Sequence, residues 1–204
     1  MHSRLKPELI DTDAGYSMGP LKLLALSGSL RKASCNTAAI RALKVLAPGD
    51  VDITIGTIGE LPLFNPDCEN DHIPALEKLR SALKASDGLI LASPEYAHGI
   101  SGPLKNALDW LVSTDEFPYK PIMLVNTSAR ATHAHAALQE VLATMSGNLI
   151  EKAHVSIMLL GTGLDAGGIV EARDIASALR TGLDEFCMAI EACNMGKCVS
   201  HPRE

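Results

Sequence analysis

Ser27-Gly28-Ser29-Leu30-Arg31-Lys32-Ala33-Ser34-Cys35-Asn36-Thr37 gathers groups that bind oxyanions: the hydroxyls of Ser27, Ser29, Ser34 and Thr37, the Asn36 amide and the Arg31 guanidinium. These suit phosphate oxygens. An apolar run, Leu21 to Leu26, precedes the stretch, and an alanine-rich helical pattern, Ala38 to Leu46, follows it. A strand that breaks into a small-residue loop and then enters a helix aims free N–H groups and the helix dipole at whatever sits there. On local grounds alone the stretch fits either a phosphate cradle or an ordinary strand-to-helix turn with Ser34 or Asn36 as N-cap. Neither G-x-G-x-x-G nor G-x-x-x-x-G-K-[ST] occurs, which points away from a resident NAD or ATP and toward a mononucleotide phosphate.

Two more polar loops carry candidate groups, Pro94-Glu95-Tyr96-Ala97-His98-Gly99-Ile-Ser-Gly102 and Thr127-Ser128-Ala129-Arg130-Ala-Thr132. Each follows an apolar run short enough to be a strand, Leu89 to Ser93 and Pro121 to Asn126, and each precedes a helical pattern, 104–111 and 134–145. The β-branched segment Val51 to Ile58 reads as the second strand, Glu151 to Leu160 as the last, and Ile169 to about Ala192 as a closing helix after a flexible loop at Gly161 to Gly168. Ala75 to Ala85 is amphipathic, and the proline-rich 61–74 segment before it is a long loop.

Strands alternating with helices predict an α/β fold with a five-stranded parallel sheet of order 2-1-3-4-5. The three polar loops then lie at one sheet edge, where the winding reverses. Residues 1–20 read as an N-terminal extension, 21–192 as one domain and 193–204 as a tail.

Composition narrows the partners. The 204 residues carry a formal charge of −6, which argues against nucleic acid, and only seven aromatics, so the core is built from aliphatic residues. No apolar run is long enough to span a membrane, and no secretory signal is visible. The five cysteines are odd in number and contain no C-x-x-C pair, which predicts reduced thiols and a cytoplasmic chain. His133 and His135, two apart at a helix start, point to different faces, and no metal site is expected there.

Gly28-Ser-x-Arg31-x-x-Ser34-x-Asn36, Ser93-Pro-Glu-Tyr96 and Gly102-Pro-Leu-Lys-Asn-Ala-Leu-Asp-Trp110, in that order, resemble the NADPH-dependent FMN reductase family, which includes flavodoxin-like quinone, chromate and azo-dye reductases. The resemblance spans roughly residues 20–190. It implies a flavodoxin-like three-layer sandwich, FMN as cofactor, NADPH or NADH as co-substrate, a small electron acceptor and a homodimer or homotetramer. The 104–111 helix and the 61–74 loop would then lie near the partner subunit.

Residue by residue, the resemblance implies phosphate contacts from Ser29, Arg31, Ser34, Asn36 and the Thr37 amide, with Cys35 between them. It implies ring contacts from Pro94, Glu95, Tyr96, Ala97 and His98, and ring or ribityl contacts from Thr127 and Ser128, with Arg130 beside them. Tyr96 fits either flavin contact or core packing, Glu95 either orientation of its loop or a subunit contact, and His98 either the substrate side or a plain loop histidine. Two departures stand out. The family's Asn after Pro-Glu-Tyr is Ala97 here, and its glycine-rich third loop is replaced by Ala129-Arg130-Ala-Thr-His133-Ala-His135. Because the cofactor carries the hydride chemistry, no catalytic side chain is expected. A flavodoxin-like electron carrier and a non-catalytic flavin-binding protein are the alternatives.

Overall fold

Period-two alternation along the strands decides the layers. In the computed structural model, which describes residues 19–128, 130 and 132–195, strand β1 (Leu21–Ser27) sends Leu23 and Ala25 into one buried cluster and Leu24 and Leu26 into another. The strands β3 (Gly88–Ala92) and β6 (Pro121–Asn126) divide the same way, Ile90, Ala92, Met123 and Val125 against Leu89, Leu91, Ile122 and Leu124. A strand buried on both faces must be apolar at every position, hence the unbroken runs.

The first cluster is closed by α1 (Cys35–Leu46), α5 (Ala166–Glu171) and α6 (Arg173–Asn194). The second is closed by α2 (Pro74–Lys84), α3 (Gly102–Leu111) and α4 (Thr132–Thr144). Helices therefore cover both faces of the sheet.

The parallel order runs β2 (Val51–Gly56), β1, β3, β6, and the fifth place is shared by β7 (Asn148–Leu149) and β8 (Val155–Ser156), both paired to β6. Allowing for the extra short strands, this is the expected 2-1-3-4-5 winding and the flavodoxin-like α/β sandwich. The carboxyl ends of β1, β3 and β6 consequently share one edge.

Three elements differ from the sequence expectation. The last strand is not continuous over 151–160: a 3-10 turn at Glu151–Ala153 separates β7 from β8. Helix α6 packs closely on this turn, where a Cβ on Gly182 would lie 2.2 Å from Val155 Cγ2 and 3.0 Å from the Ala153 carbonyl. Beyond β8 the chain still runs alongside the third loop, with Ile157 N–H donating to Asn126 O at 2.8 Å and Leu159 N–H to Thr127 O at 3.1 Å. The closing helix is broken at Ala172, and its first part starts within the expected loop, because Asp165 Oδ1 accepts from Gly168 N–H at 2.9 Å and caps α5. The second polar loop is a hairpin, β4 (Glu95–Tyr96) against β5 (Gly99–Ile100).

The 61–74 loop is fastened to α3. Asn106 Nδ2 and Trp110 Nε1 both donate to the Pro62 carbonyl, at 2.9 and 2.8 Å, and Phe64 meets the Trp110 ring edge-to-face at 5.1 Å.

Cys35, Cys68 and Cys187 are free thiols, whereas Cys193, in the last turn of α6, is disulfide-bonded, which corrects the expectation of reduced thiols throughout. Burial, reinforced by Asp184, Glu191 and Asp50, pushes the Cys187 thiol up to about 11, so it stays protonated near neutral pH. No helix among the described residues is long and apolar enough to cross a membrane. Residues 1–18 of the expected extension and 196–204 of the expected tail lie outside the described residues.

Candidate functional site

The first loop is built by its own hydroxyls. Ser27 Oγ accepts from Thr37 Oγ1 at 2.9 Å and from Ser29 N–H at 3.2 Å, and Ser29 Oγ accepts from Arg31 N–H at 3.4 Å. Ser34 is the N-cap of α1, its Oγ accepting from Thr37 N–H at 3.3 Å. The Cys35 and Asn36 N–H groups, in the first turn, have no protein acceptor among the described residues. Arg31 is exposed and forms no ion pair among the described residues.

Gly28 is where this loop meets the second. Its N–H donates to Ala92 O at 2.8 Å, and its carbonyl accepts from the fully buried Ser101 hydroxyl at 2.7 Å. A Cβ at position 28 would fall 2.7 Å from Ser101 Oγ and 3.3 Å from Pro94 Cδ.

The second loop turns through Ala97 and Ala97's neighbour His98, at φ 49° and 61°. A two-residue hairpin needs this left-handed backbone, which Asn-Gly adopts readily and Ala-His does not. The family's Asn suits that geometry better than Ala97 does. Two contacts hold the hairpin. Ala134 N–H, in the first turn of α4, donates to Glu95 Oε2 at 2.8 Å, and the His98 and His133 rings lie 4.3 Å apart. Glu95 therefore orients its loop, placing a carboxylate where the α4 dipole favours one.

In the third loop Asn126 Oδ1 accepts from Ser128 N–H at 3.0 Å, and Ser128 Oγ from Arg130 N–H at 3.4 Å. The buried Thr127 hydroxyl donates to Asn36 Oδ1 at 3.1 Å, tying this loop to α1. The Cys35 thiol reaches the Leu159 carbonyl at 3.6 Å.

These loops enclose one cleft of about 260 Å³ at the carboxyl ends of β1, β3 and β6. Eleven of the sequence candidates line it: Ser29, Arg31, Ser34, Cys35, Asn36, Pro94, Glu95, Tyr96, Thr127, Ser128 and Arg130. Thr37, Ala97 and His98 do not. Thr37 lies one turn inside α1 with its N–H and hydroxyl both engaged, and the other two form the tip of the hairpin. Ala33, Ser93, Asn126 and Leu160 also line the cleft without having been singled out. Ser93 and Asn126 had a signal, a polar residue ending a buried strand; Leu160 had none.

The expected divergence of His133 and His135 is what the structure has. His133 meets His98, whereas His135 turns inward, its ring 5.9 Å from that of His154 and perpendicular to it. Among the described residues no cluster of three or more His, Cys, Asp or Glu is placed to hold a metal.

Burial pushes the His135 imidazole below its ordinary value, and burial followed by the neighbouring His135 does the same to His154, against an opposing pull from Glu151. His154 Nε2 has no hydrogen-bond partner among the described residues. Both groups prefer to be neutral in the folded state. Their contribution to stability is complete above the unfolded-state value of about 6.5 and is lost as pH falls through the lowered folded values. The melting temperature should fall on going from pH 7.5 to 5, and less steeply in His154→Leu. Parallel profiles for the two proteins would reject this assignment.

A cleft at the switch point with unpaired helix N–H groups, a free guanidinium and hydroxyls at one end is a donor set for a phosphomonoester. At about 260 Å³ it falls just short of the roughly 300–1,000 Å³ of a fully enclosing ligand pocket, so a flavin nucleotide would keep part of its surface open.

Comparison with known proteins agrees with this geometry. Residues 21–158 match the model of the NADPH-dependent FMN reductase family. An NAD(P)H-dependent FMN reductase of Pseudomonas aeruginosa is 34% identical over 154 residues, covering 72% of this chain and 83% of that protein. A 2-hydroxy-1,4-benzoquinone reductase of Burkholderia sp. is 31% identical over 172 residues, 81% of this chain and 94% of that one. The flavoenzyme NAD(P)H:acceptor oxidoreductase FerB of Paracoccus denitrificans superposes with a TM-score of 0.75 at 26% identity, over 84% of this chain and 97% of its own. The chain belongs to the NADPH-dependent FMN reductase family.

Proposed function

We propose that the chain is an FMN-dependent NAD(P)H oxidoreductase whose electrons pass to a quinone, free flavin or related small acceptor. The observation that carries this reading is the convergence of three polar loops on one half-open cleft with helix N–H groups, hydroxyls and a guanidinium at one end. Ser29, Arg31, Ser34 and the N–H groups of Cys35 and Asn36 would hold the FMN phosphate. Pro94, Glu95 and Tyr96 would follow the ring along the hairpin, and Thr127 and Ser128 would close the other side.

Bound FMN supplies the two-electron chemistry, taking hydride from a reduced nicotinamide and passing the electrons to the acceptor. The chain's part is anchoring and orientation. Asn36–Thr127 and Glu95–Ala134 brace the loops against one another. The exposed Tyr96 borders the open side, where a second substrate has access. No side chain is assigned as an obligatory acid or base, since water can supply the protons of a quinol. Self-association belongs to the same reading: the 61–74 loop packed on α3 leaves Leu63 86% exposed and Val112 56% exposed, apolar surface suited to a second copy.

Purified protein should be yellow, with flavin absorption, and should oxidise NADPH or NADH when FMN and a quinone are supplied. A colourless protein that takes up no FMN and consumes neither nicotinamide would overturn the proposal. Reduction of its flavin only through a separate reductase would favour an electron carrier instead.

A further inference from the structure

Arg130 is the second guanidinium in the cleft, and anchoring of the FMN phosphate leaves it without a role. It stands on the loop after β6, whereas Arg31 stands on the loop after β1, with β3 between them. Two strand spacings put the bases of these loops about 10 Å apart. One phosphate does not need both.

Arg130 is also unneutralised. The ion pairs among the described residues are His72–Glu77, Arg80–Glu116 and Lys105–Asp109, and Arg130 is in none of them. Glu95, the one carboxylate lining the cleft, is engaged by the α4 N-terminus through Ala134 N–H. The Arg130 N–H donates to the Ser128 hydroxyl at 3.4 Å, while the residue itself is exposed.

A planar, permanently charged fork recognises a phosphomonoester. At the open side of a flavin cleft the arriving molecule is the reduced nicotinamide, and the phosphomonoester that separates NADPH from NADH is the 2′-phosphate, a group that an arginine accommodates in other nicotinamide sites. We infer that Arg130 reads the 2′-phosphate and makes the protein NADPH-selective. The inference rests on the oxidoreductase reading above.

The test uses FMN-loaded wild-type protein and the R130A and R130K variants. Calorimetry with adenosine 2′-monophosphate and adenosine 5′-monophosphate reads the phosphate preference without turnover, and steady-state kinetics give the ratio of kcat/KM for NADPH over NADH. Wild-type protein should bind the 2′-monophosphate at least tenfold more tightly. R130A should abolish that difference and lower the coenzyme ratio by about tenfold or more, and R130K should fall between, keeping the charge without the fork. R130A that binds FMN yet keeps the wild-type nucleotide preference and coenzyme ratio would overturn this inference alone. Wild-type protein that binds no FMN would overturn the oxidoreductase reading and this inference with it.

Discussion

Gly28→Val is expected to lower the melting temperature by roughly 5–15 °C and to leave the purified protein with little FMN. The atoms that a Cβ would strike are not movable side-chain ends. Ser101 Oγ at 2.7 Å belongs to a fully buried residue hydrogen-bonded to Gly28 itself, Leu104 Cβ at 3.1 Å belongs to the first turns of α3, and Pro94 Cδ at 3.3 Å belongs to the second loop. Valine adds two further methyl groups to that contact. Overpacking a tight contact costs about 1–3 kcal/mol, and stranding the buried Ser101 hydroxyl costs about 1–3 kcal/mol more. In a domain of this size each kcal/mol corresponds to roughly 2–4 °C. The relief available is separation of the first two loops, which widens the cleft at its phosphate end. Gly49→Ala is the matched control, since nothing lies within 4 Å of a Cβ there. Thermal melts and flavin content of the two variants decide the matter, and a Gly28→Val protein that melts and retains FMN like wild type would refute the close-approach argument.

The same glycine shows what the sequence carried and what it did not. That Gly28 lies in a strand-to-helix loop rich in hydroxyls was legible from the residues around it. That its neighbours are Ser101 and Leu104, more than seventy positions away, was not. The apolar runs at Leu21–Leu26, Leu89–Ser93 and Pro121–Asn126 foretold the central strands because burial on two faces leaves no other composition. The last strand was misread because Val155, Ile157 and Leu159 keep a strand's alternation while a 3-10 turn just upstream, packed against Gly182, leaves no signal in that alternation. The 95–100 hairpin hid because Ala97-His98 is an unfavourable pair for a turn that usually advertises itself with Asn or Gly.

At the site, residue types were readable and their internal commitments were not. Thr37 looked like a phosphate donor, yet its hydroxyl goes to Ser27 and its N–H to Ser34. Asn36 reaches Thr127 across 91 positions and Glu95 reaches Ala134 across 39, pairings that exist only once the sheet brings the loops together.

Arg31→Ala is expected to weaken FMN binding by about ten- to a hundredfold while leaving the melting temperature of the FMN-free protein within a degree or two of wild type. The side chain is exposed and makes no ion pair among the described residues, and the loop is shaped by Ser29 and Ser34 through backbone N–H groups that alanine retains. Truncation therefore removes nothing that the fold uses. What it removes is a charge-assisted bond to a phosphate, worth about 1.5–3 kcal/mol, and each 1.4 kcal/mol is a factor of ten. The charge makes the effect salt-dependent, so FMN affinity should fall with added salt more steeply in wild type than in the variant. Riboflavin, which lacks the phosphate, separates a local role from a general one. Wild type should prefer FMN to riboflavin by more than the factor that Arg31→Ala loses, because the serines and helix N–H groups also hold the phosphate, whereas riboflavin affinity should be nearly the same in both proteins. Fluorescence titration of the two flavins gives all four constants. A variant that binds FMN as tightly as wild type would show that the helix N-terminus and serines hold the phosphate alone. An equal loss for riboflavin would show that Arg31 shapes the cleft rather than binding the anion.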